Sequence, residues 1–192
     1  MIHIAALLDE ITSRQRSLGG ARTLLVGISG IDAGGKGFIA RRVEGGLTER
    51  GLRAANINVD GWLHLPARRF DSRNPARHFY QNALRLDQMF EQLVLPLKRD
   101  RTVSLTMDFA EETATAYRPQ RVEFSAIDVI LLEGIFLFKP AYRDHFDLKV
   151  WIDCSFETAL ERAVARGQEG LPPDETVRAF ETIYFPAQRI HF

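Results

Sequence analysis

The segment Gly30-Ile31-Asp32-Ala33-Gly34-Gly35-Lys36 follows the spacing GxxxxGK. At that spacing successive backbone N–H groups wrap a phosphate chain, and the lysine ammonium reaches its outer oxygens. The chemistry implied is capture of a nucleoside polyphosphate by Gly30, Ile31, Asp32, Ala33, Gly34, Gly35 and Lys36, continued by Gly37 and Phe38. Gly37 stands where such loops place a Ser or Thr, whose hydroxyl touches Mg²⁺. Because Mg²⁺ keeps several waters in its shell, one more water would fill the place that Gly37 leaves open. Gly37→Ser or Gly37→Thr is therefore expected to keep or improve Mg²⁺ affinity.

Asp60 follows the strand-like segment Leu52 to Val59, and Glu133 follows the apolar run Ile127 to Leu132. A carboxylate beside a phosphate loop is what holding Mg²⁺ and orienting its waters requires, and Glu133 is the choice for that role, acting through water. Phosphoryl transfer to an alcohol needs another carboxylate to align the hydroxyl and take its proton, which makes Asp60 the candidate base. The competing readings are a solvated strand-end acid for Glu133 and a turn cap for Asp60. Arg162 and Arg166 are four apart, so on a helix they point the same way. Over the phosphates they would neutralise charge in the transition state; the rival reading is a solvated helix end. The histidines, His3, His64, His78, His145 and His191, show no ligand spacing, and there is no cysteine pair, so no structural zinc is inferred. Ser29 has no histidine patterned near it, which gives no nucleophile triad.

These residues must be carried to one rim. Thr23 to Ile28 is apolar enough for a buried strand, and Phe38, Ile39, Val43 and Leu47 recur at helical spacing behind the glycine turn. That order aims a helix N-terminus, with its partial positive charge, at the phosphates. The helix from Lys36 should stop at Gly51, and Leu52 to Val59 should rise as a parallel neighbour ending at Asp60. Ligands in such sheets lie beyond the carboxyl ends of the strands. Gly61 to Arg73 suits an irregular excursion over that face. Asn74-Pro75 opens an amphipathic helix through Leu93 that Pro96 ends or bends. Arg101–Phe109 and Arg121–Phe124 suggest a hairpin around a mobile Ala110–Gln120 loop, while Ile127–Leu132 and Asp147–Ile152 give further strands. Ser155 to Arg166 is helical, Gly167 to Pro173 a polar loop, and Asp174 the expected cap of a final helix through Ile183, interrupted at Pro186.

With 192 residues, 45% of them hydrophobic, the chain suits a single domain over 1–192. Its 25 basic and 25 acidic residues cancel, so bulk charge suggests neither a nucleic-acid nor a membrane partner. The single cysteine, Cys154, fits a reducing cytoplasm. No apolar run approaches the roughly 20 residues of a membrane span. Residues 1–20 lack the pattern of a signal peptide and suggest a docking helix ended by Gly19-Gly20.

With these residues in view, the chain resembles the uridine kinase and phosphoribulokinase group of P-loop kinases over nearly its whole length. GISGIDAGGKG resembles that group's loop, VDGWL its strand-two aspartate motif, and VILLEGIFLF its second carboxylate strand. RRFD followed by NPARHF is similar to an element that contacts the nucleoside sugar; MDFAEET sits at the group's hairpin segment; DLKVWIDCSFETALERAVARG resembles the strand and lid helix. The resemblance implies an α/β, three-layer P-loop NTPase fold: a central, mostly parallel sheet flanked by helices, with a hairpin excursion and a helical lid at about 162–174. It implies an ATP- and Mg²⁺-dependent kinase of a nucleoside-like hydroxyl, with Asp60, Asp71 and Phe109 on the substrate and Arg162 and Arg166 in the lid. Gly37, Leu63, Met107 and Glu112 depart from the uridine kinase pattern. A kinase of another small alcohol (sugar phosphate, glycerate, pantothenate) and a catalytically weak nucleotide sensor are the alternatives; a homo-oligomer is left open.

Overall fold

The computed structural model describes residues 3–167 and 170–191. Parts of the expected N-terminal helix (residues 1 and 2), of the expected lid (Gln168 and Glu169) and of the expected domain (Phe192) lie outside the described residues. In chain order the elements are α1 (Ile4–Ser17), β1 (Leu24–Gly30), α2 (Lys36–Glu49) and β2 (Ala54–Asn58), followed by a 3₁₀ turn (Val59–Trp62). Next come α3 (Pro66–Arg69), α4 (Pro75–Asn82), α5 (Leu86–Met89), a π turn (Phe90–Val94) and α6 (Leu95–Asp100). Strands β3 (Val103–Phe109), β4 (Arg118–Phe124), β5 (Val129–Gly134) and β6 (Leu148–Ile152) follow, then α7 (Phe156–Arg166), α8 (Pro173–Ala179), a second π turn (Phe180–Tyr184) and α9 (Phe185–His191).

The main sheet is parallel throughout, in the order β2-β5-β1-β6. Its central strands are buried over their full length, as strands covered on both faces must be. Side chains alternate between faces: Leu24, Val26 and Ile28 pack with Leu7, Ile11, Val43 and Leu47 of α1 and α2, while Leu25, Ile130 and Leu132 face the other helices. This is the expected three-layer arrangement. Asp147 fixes the foot of β1, accepting from Leu25 N (2.8 Å), both Arg22 guanidinium nitrogens (2.7 and 2.8 Å) and Lys98 Nζ (3.2 Å). At the head, Ser29 Oγ donates to Gly134 O (3.0 Å) and joins β1 to β5.

The helical layer departs from expectation where side chains override periodicity. Asn74 caps α4 as expected, its Oδ1 accepting from Arg77 N, but the helix does not run on to Pro96. It breaks after Asn82, because Ala83 O takes His64 N, Leu84 bridges Leu63, and Arg85 N donates to Trp62 O. Pro96 does not end the next rod either. The π turn bonds Leu95 N to Phe90 O, and the rod continues past the proline that follows. The same device recurs at Phe180-Glu181, where Phe185 N reaches Phe180 O and α9 passes Pro186 to His191. Asp174 is not the cap of α8; Pro172 holds that position, and Asp174 lies in the first turn, where its charge still suits the helix N-terminus. The hairpin forms, with Val103 opposite Phe124 and Phe109 opposite Arg118, and its intervening loop is 110–117.

Candidate active site

The phosphate loop is a tight backbone cup. Gly35 closes it at φ 94°, in the left-handed region, directly before α2. A Cβ on Gly30 would lie 2.7 Å from Ile152 O of the neighbouring strand, and one on Gly34 2.9 Å from Ile31 O. These glycines let chain segments approach closer than a side chain permits. Lys36 is buried (8% exposed), and its Nζ donates to Ile31 O at 2.8 Å, while Asp32 Oδ1 accepts from Ala33 N. The ammonium thus crosses the mouth of its own loop. Phe38 stands out to solvent on α2, under the Arg42 guanidinium.

Asp60 leaves the end of β2 in the 3₁₀ turn, its N–H held by Asn58 Oδ1 (2.7 Å). Its side chain opens to solvent while protein crowds it from behind. Lost hydration, then the charge of Asp32, raises its pKa against the opposing pull of Lys36, the Asn58 hydrogen bond and Arg166. Glu133 ends β5 and is 6% exposed. Burial pushes its carboxyl up to about 7; Asp60 and Asp32 push the same way, Lys36 and Arg41 against. Asp32, Asp60, Glu133 and Lys36 therefore feel one another across one rim. Gly134 makes this proximity possible, since a Cβ there would fall 2.1 Å from Val59 Cγ2, one residue before Asp60. A Cβ on Gly37 would sit 3.3 Å from Glu133 Oε1, so the position of the missing hydroxyl borders the Glu133 carboxylate.

Arg162 reaches the loop from α7: its Nη1 lies 3.5 Å from Gly34 O and 3.7 Å from Cys154 Sγ. Arg166 is within electrostatic reach of Asp60. Phe109 lies near the backbone beside Asp60, its ring 3.9 Å from where a Cβ on Gly61 would be, with the Arg118 guanidinium over it. Asp71 is not gathered into this group: its carboxylate folds back on Arg73, which holds its pKa below the usual range.

The structure adds residues that periodicity hid. Arg69 is 2% exposed, and its guanidinium donates to Glu112 O. Arg85, 8% exposed, donates to Leu63 O, Gln88 Oε1 and Asp108 O between the rings of Trp62 and Tyr117. His64, 3.5 Å from the Tyr117 hydroxyl, has its pKa lowered by burial and by Arg68 and Arg85. The available signal was an arginine inside an apolar run, as in Ala83-Leu84-Arg85-Leu86.

A match to the model of the phosphoribulokinase / uridine kinase family runs over residues 25–170, from β1 to the end of the α7 region. The chain belongs to that family. A uridine kinase of Alkaliphilus metalliredigens is 28% identical over 157 residues, 77% of this chain and 70% of that protein. Among solved structures, one described as a possible uridine kinase from Bacillus stearothermophilus superposes with a TM-score of 0.70 at 22% identity, covering 96% of this chain and 91% of that one. D-glycerate 3-kinase from Cryptococcus neoformans var. grubii gives 0.65 at 12% identity, covering 100% and 90%. At such identities the solved structures speak for the P-loop kinase fold. Within the family, the sequence match includes the phosphate loop, the Asp60 turn, the Glu133 strand and α7 together. Among the described residues no helix is long and apolar enough to cross a membrane.

Proposed function

We propose that the chain is an ATP-dependent kinase that transfers the γ-phosphate to a hydroxyl of a small acceptor. The observation that carries this reading is the convergence of Lys36, Asp60, Glu133 and Arg162 around the loop of a family kinase. Lys36 exchanges Ile31 O for the β- and γ-phosphate oxygens, while the N–H groups of Gly34 to Gly37 and the start of α2 hold the chain of phosphates. Asp60, more basic than an exposed aspartate, receives the hydroxyl proton as the acceptor oxygen bonds to phosphorus and the bridging P–O bond breaks toward ADP. Arg162 and Arg166, on a helix serving as lid, balance the charge on the transferring group.

Among the described residues no three His, Cys, Asp or Glu side chains cluster tightly enough to cage a metal alone. The carboxylates of Glu133 and Asp60 are nonetheless hard oxygen donors, and the space beside Gly37 is open except for Glu133, which fits Mg²⁺ shared with nucleotide phosphates and waters. Bound there by Glu133, through water, Mg²⁺ would supply charge neutralisation on the phosphates.

Similarity to a uridine kinase supports a nucleoside-like acceptor, and kinship of fold with a glycerate kinase supports another small alcohol. The test is ADP release with Mg·ATP and a panel of alcohols, for the parent and Asp60→Asn. The variant should bind nucleotide normally and lose transfer by about 10³-fold or more; undiminished transfer would remove Asp60 from the role of base. Silence of the parent across every acceptor, with nucleotide still bound, would instead favour a sensor.

A further inference from the structure

Resting on the kinase reading, we propose that the acceptor is an anionic alcohol, carrying a phosphate or carboxylate group besides the reacting hydroxyl, and that Arg69 selects it. In the free chain Glu112 holds the place of that anion.

A guanidinium cannot shed its proton to escape burial, so taking one out of water calls for a counter-charge. Arg69 and Arg85 are both more than nine-tenths buried. Every hydrogen bond they make among the described residues ends on a neutral oxygen: Glu112 O, Leu63 O, Asp108 O and Gln88 Oε1. Arg85 uses Nε and both terminal nitrogens in this way and is clasped between two rings, which makes it a fixture of the wall. Arg69 is different. Its Nε is buried and has no acceptor, so one edge of a planar donor fork is unused.

That edge lies in the right part of the molecule. Arg69 is within electrostatic reach of Asp60, Glu112, Tyr117 and Tyr184, so it shares the acceptor side of the cleft with the base. Arg68 and Arg85 add positive charge there, felt at His64. The carboxylates facing Arg69 are those of Glu112 and Asp60. Asp60 is committed to the reacting hydroxyl, and Glu112 sits on the 110–117 loop, which covers Arg69 through its backbone carbonyl. An entering phosphate or carboxylate would displace that carbonyl and satisfy Nε and the terminal nitrogen together. A neutral nucleoside would leave the guanidinium as it stands. The arrangement repeats, on the acceptor side, what Lys36 and Ile31 O do on the nucleotide side.

The experiment uses the full chain with Mg·ATP and matched pairs: glycerol against D-glycerate, ribose against ribose 5-phosphate, with uridine as a neutral nucleoside. ADP release should favour a charged member, and the carboxylate and phosphate arms identify the headgroup. Arg69→Gln should raise KM for that acceptor about 10- to 100-fold, the loss of a charge-assisted hydrogen bond, with kcat and nucleotide affinity changed far less. Arg69→Lys, which keeps charge without the fork, should fold as the parent does by thermal melting and recover part of the affinity. Preference for a neutral member, or equal KM changes for charged and neutral acceptors in both variants, overturns the inference and leaves the kinase reading standing. If no acceptor releases ADP, calorimetric titration beside a non-hydrolysable ATP analogue decides: charge-selective binding lost in Arg69→Gln upholds the inference while the kinase reading falls, and absence of such binding overturns it.

Discussion

The two halves of the cleft are built on opposite plans. The proposed nucleotide half is backbone: Gly30 and Gly34 bring main chain against main chain, Gly35 closes the loop at φ 94°, and Lys36 bonds to its own loop. The proposed acceptor half is side chain: Arg69, Arg85, His64, Phe109 and Tyr117 converge from the Gly61–Arg73 excursion, the break before α5 and the hairpin with its loop. A backbone cup tolerates no added methyl at its closest contacts. A side-chain wall can be rewritten one residue at a time, which suits it to changing acceptors within one family.

Substitutions test that division, and the greatest effect is expected where the halves meet. Gly134→Ala would drive a methyl into fully buried Val59, which has no space to yield, and so displace the Asp60 turn. Transfer should fall about 100-fold or more, as misplacement of a catalytic group by about 1 Å does, and melting should show a loss of about 3 kcal/mol. Full activity in this variant would mean that the two carboxylates need not be held close.

Glu133→Gln should act in the opposite direction on stability. The folded chain keeps the Glu133 proton up to about pH 7, against 4.5 for an ordinary glutamate. Its contribution to stability is therefore complete below about pH 4.5 and lost as pH rises to about 7. Above that, burying the charge opposes folding by at most about 3 kcal/mol. The glutamine variant, free of nucleotide and metal, should melt above the parent at pH 8 and level with it near pH 4.5, while losing transfer. A constant difference between the two melting curves across this range would show that Glu133 does not titrate with folding.

The smallest effect is expected at Gly37. Its added Cβ meets only the end of the Glu133 side chain, at 3.3 Å, which moves a few tenths of an ångström at little cost. Gly37→Ser should stay within about 1 kcal/mol of the parent in nucleotide affinity, with Mg²⁺ affinity equal or better. Lost ATP binding in both Gly37→Ser and Gly37→Thr would show that the bare backbone is needed at that point too.

The same contrast explains what was legible beforehand. The cup, the strand-end carboxylates and the Ser155-capped helix bearing Arg162 are local patterns, each complete within about 15 residues of sequence. The acceptor wall was not legible, because Arg85 lies within an apolar, helix-like run whose period continues through it. Only the tertiary bonds of Ala83 O and Arg85 N to the segment after Asp60 interrupt that helix. Asp71 shows the converse: its motif is local, and in the free chain its carboxylate bonds to the neighbouring Arg73.

The π turns at Phe90 and Phe180 set rotational phase. Each amounts to one extra residue in a continuous helical rod, which turns everything beyond it by about 100°. Take that residue out before Pro96 and Leu97 would swing from the core toward solvent, while Lys98 would leave Asp147, the group that also receives Leu25 N. The strand that delivers the phosphate loop is thus timed from its far end, by a helix whose winding a proline keeps from reverting.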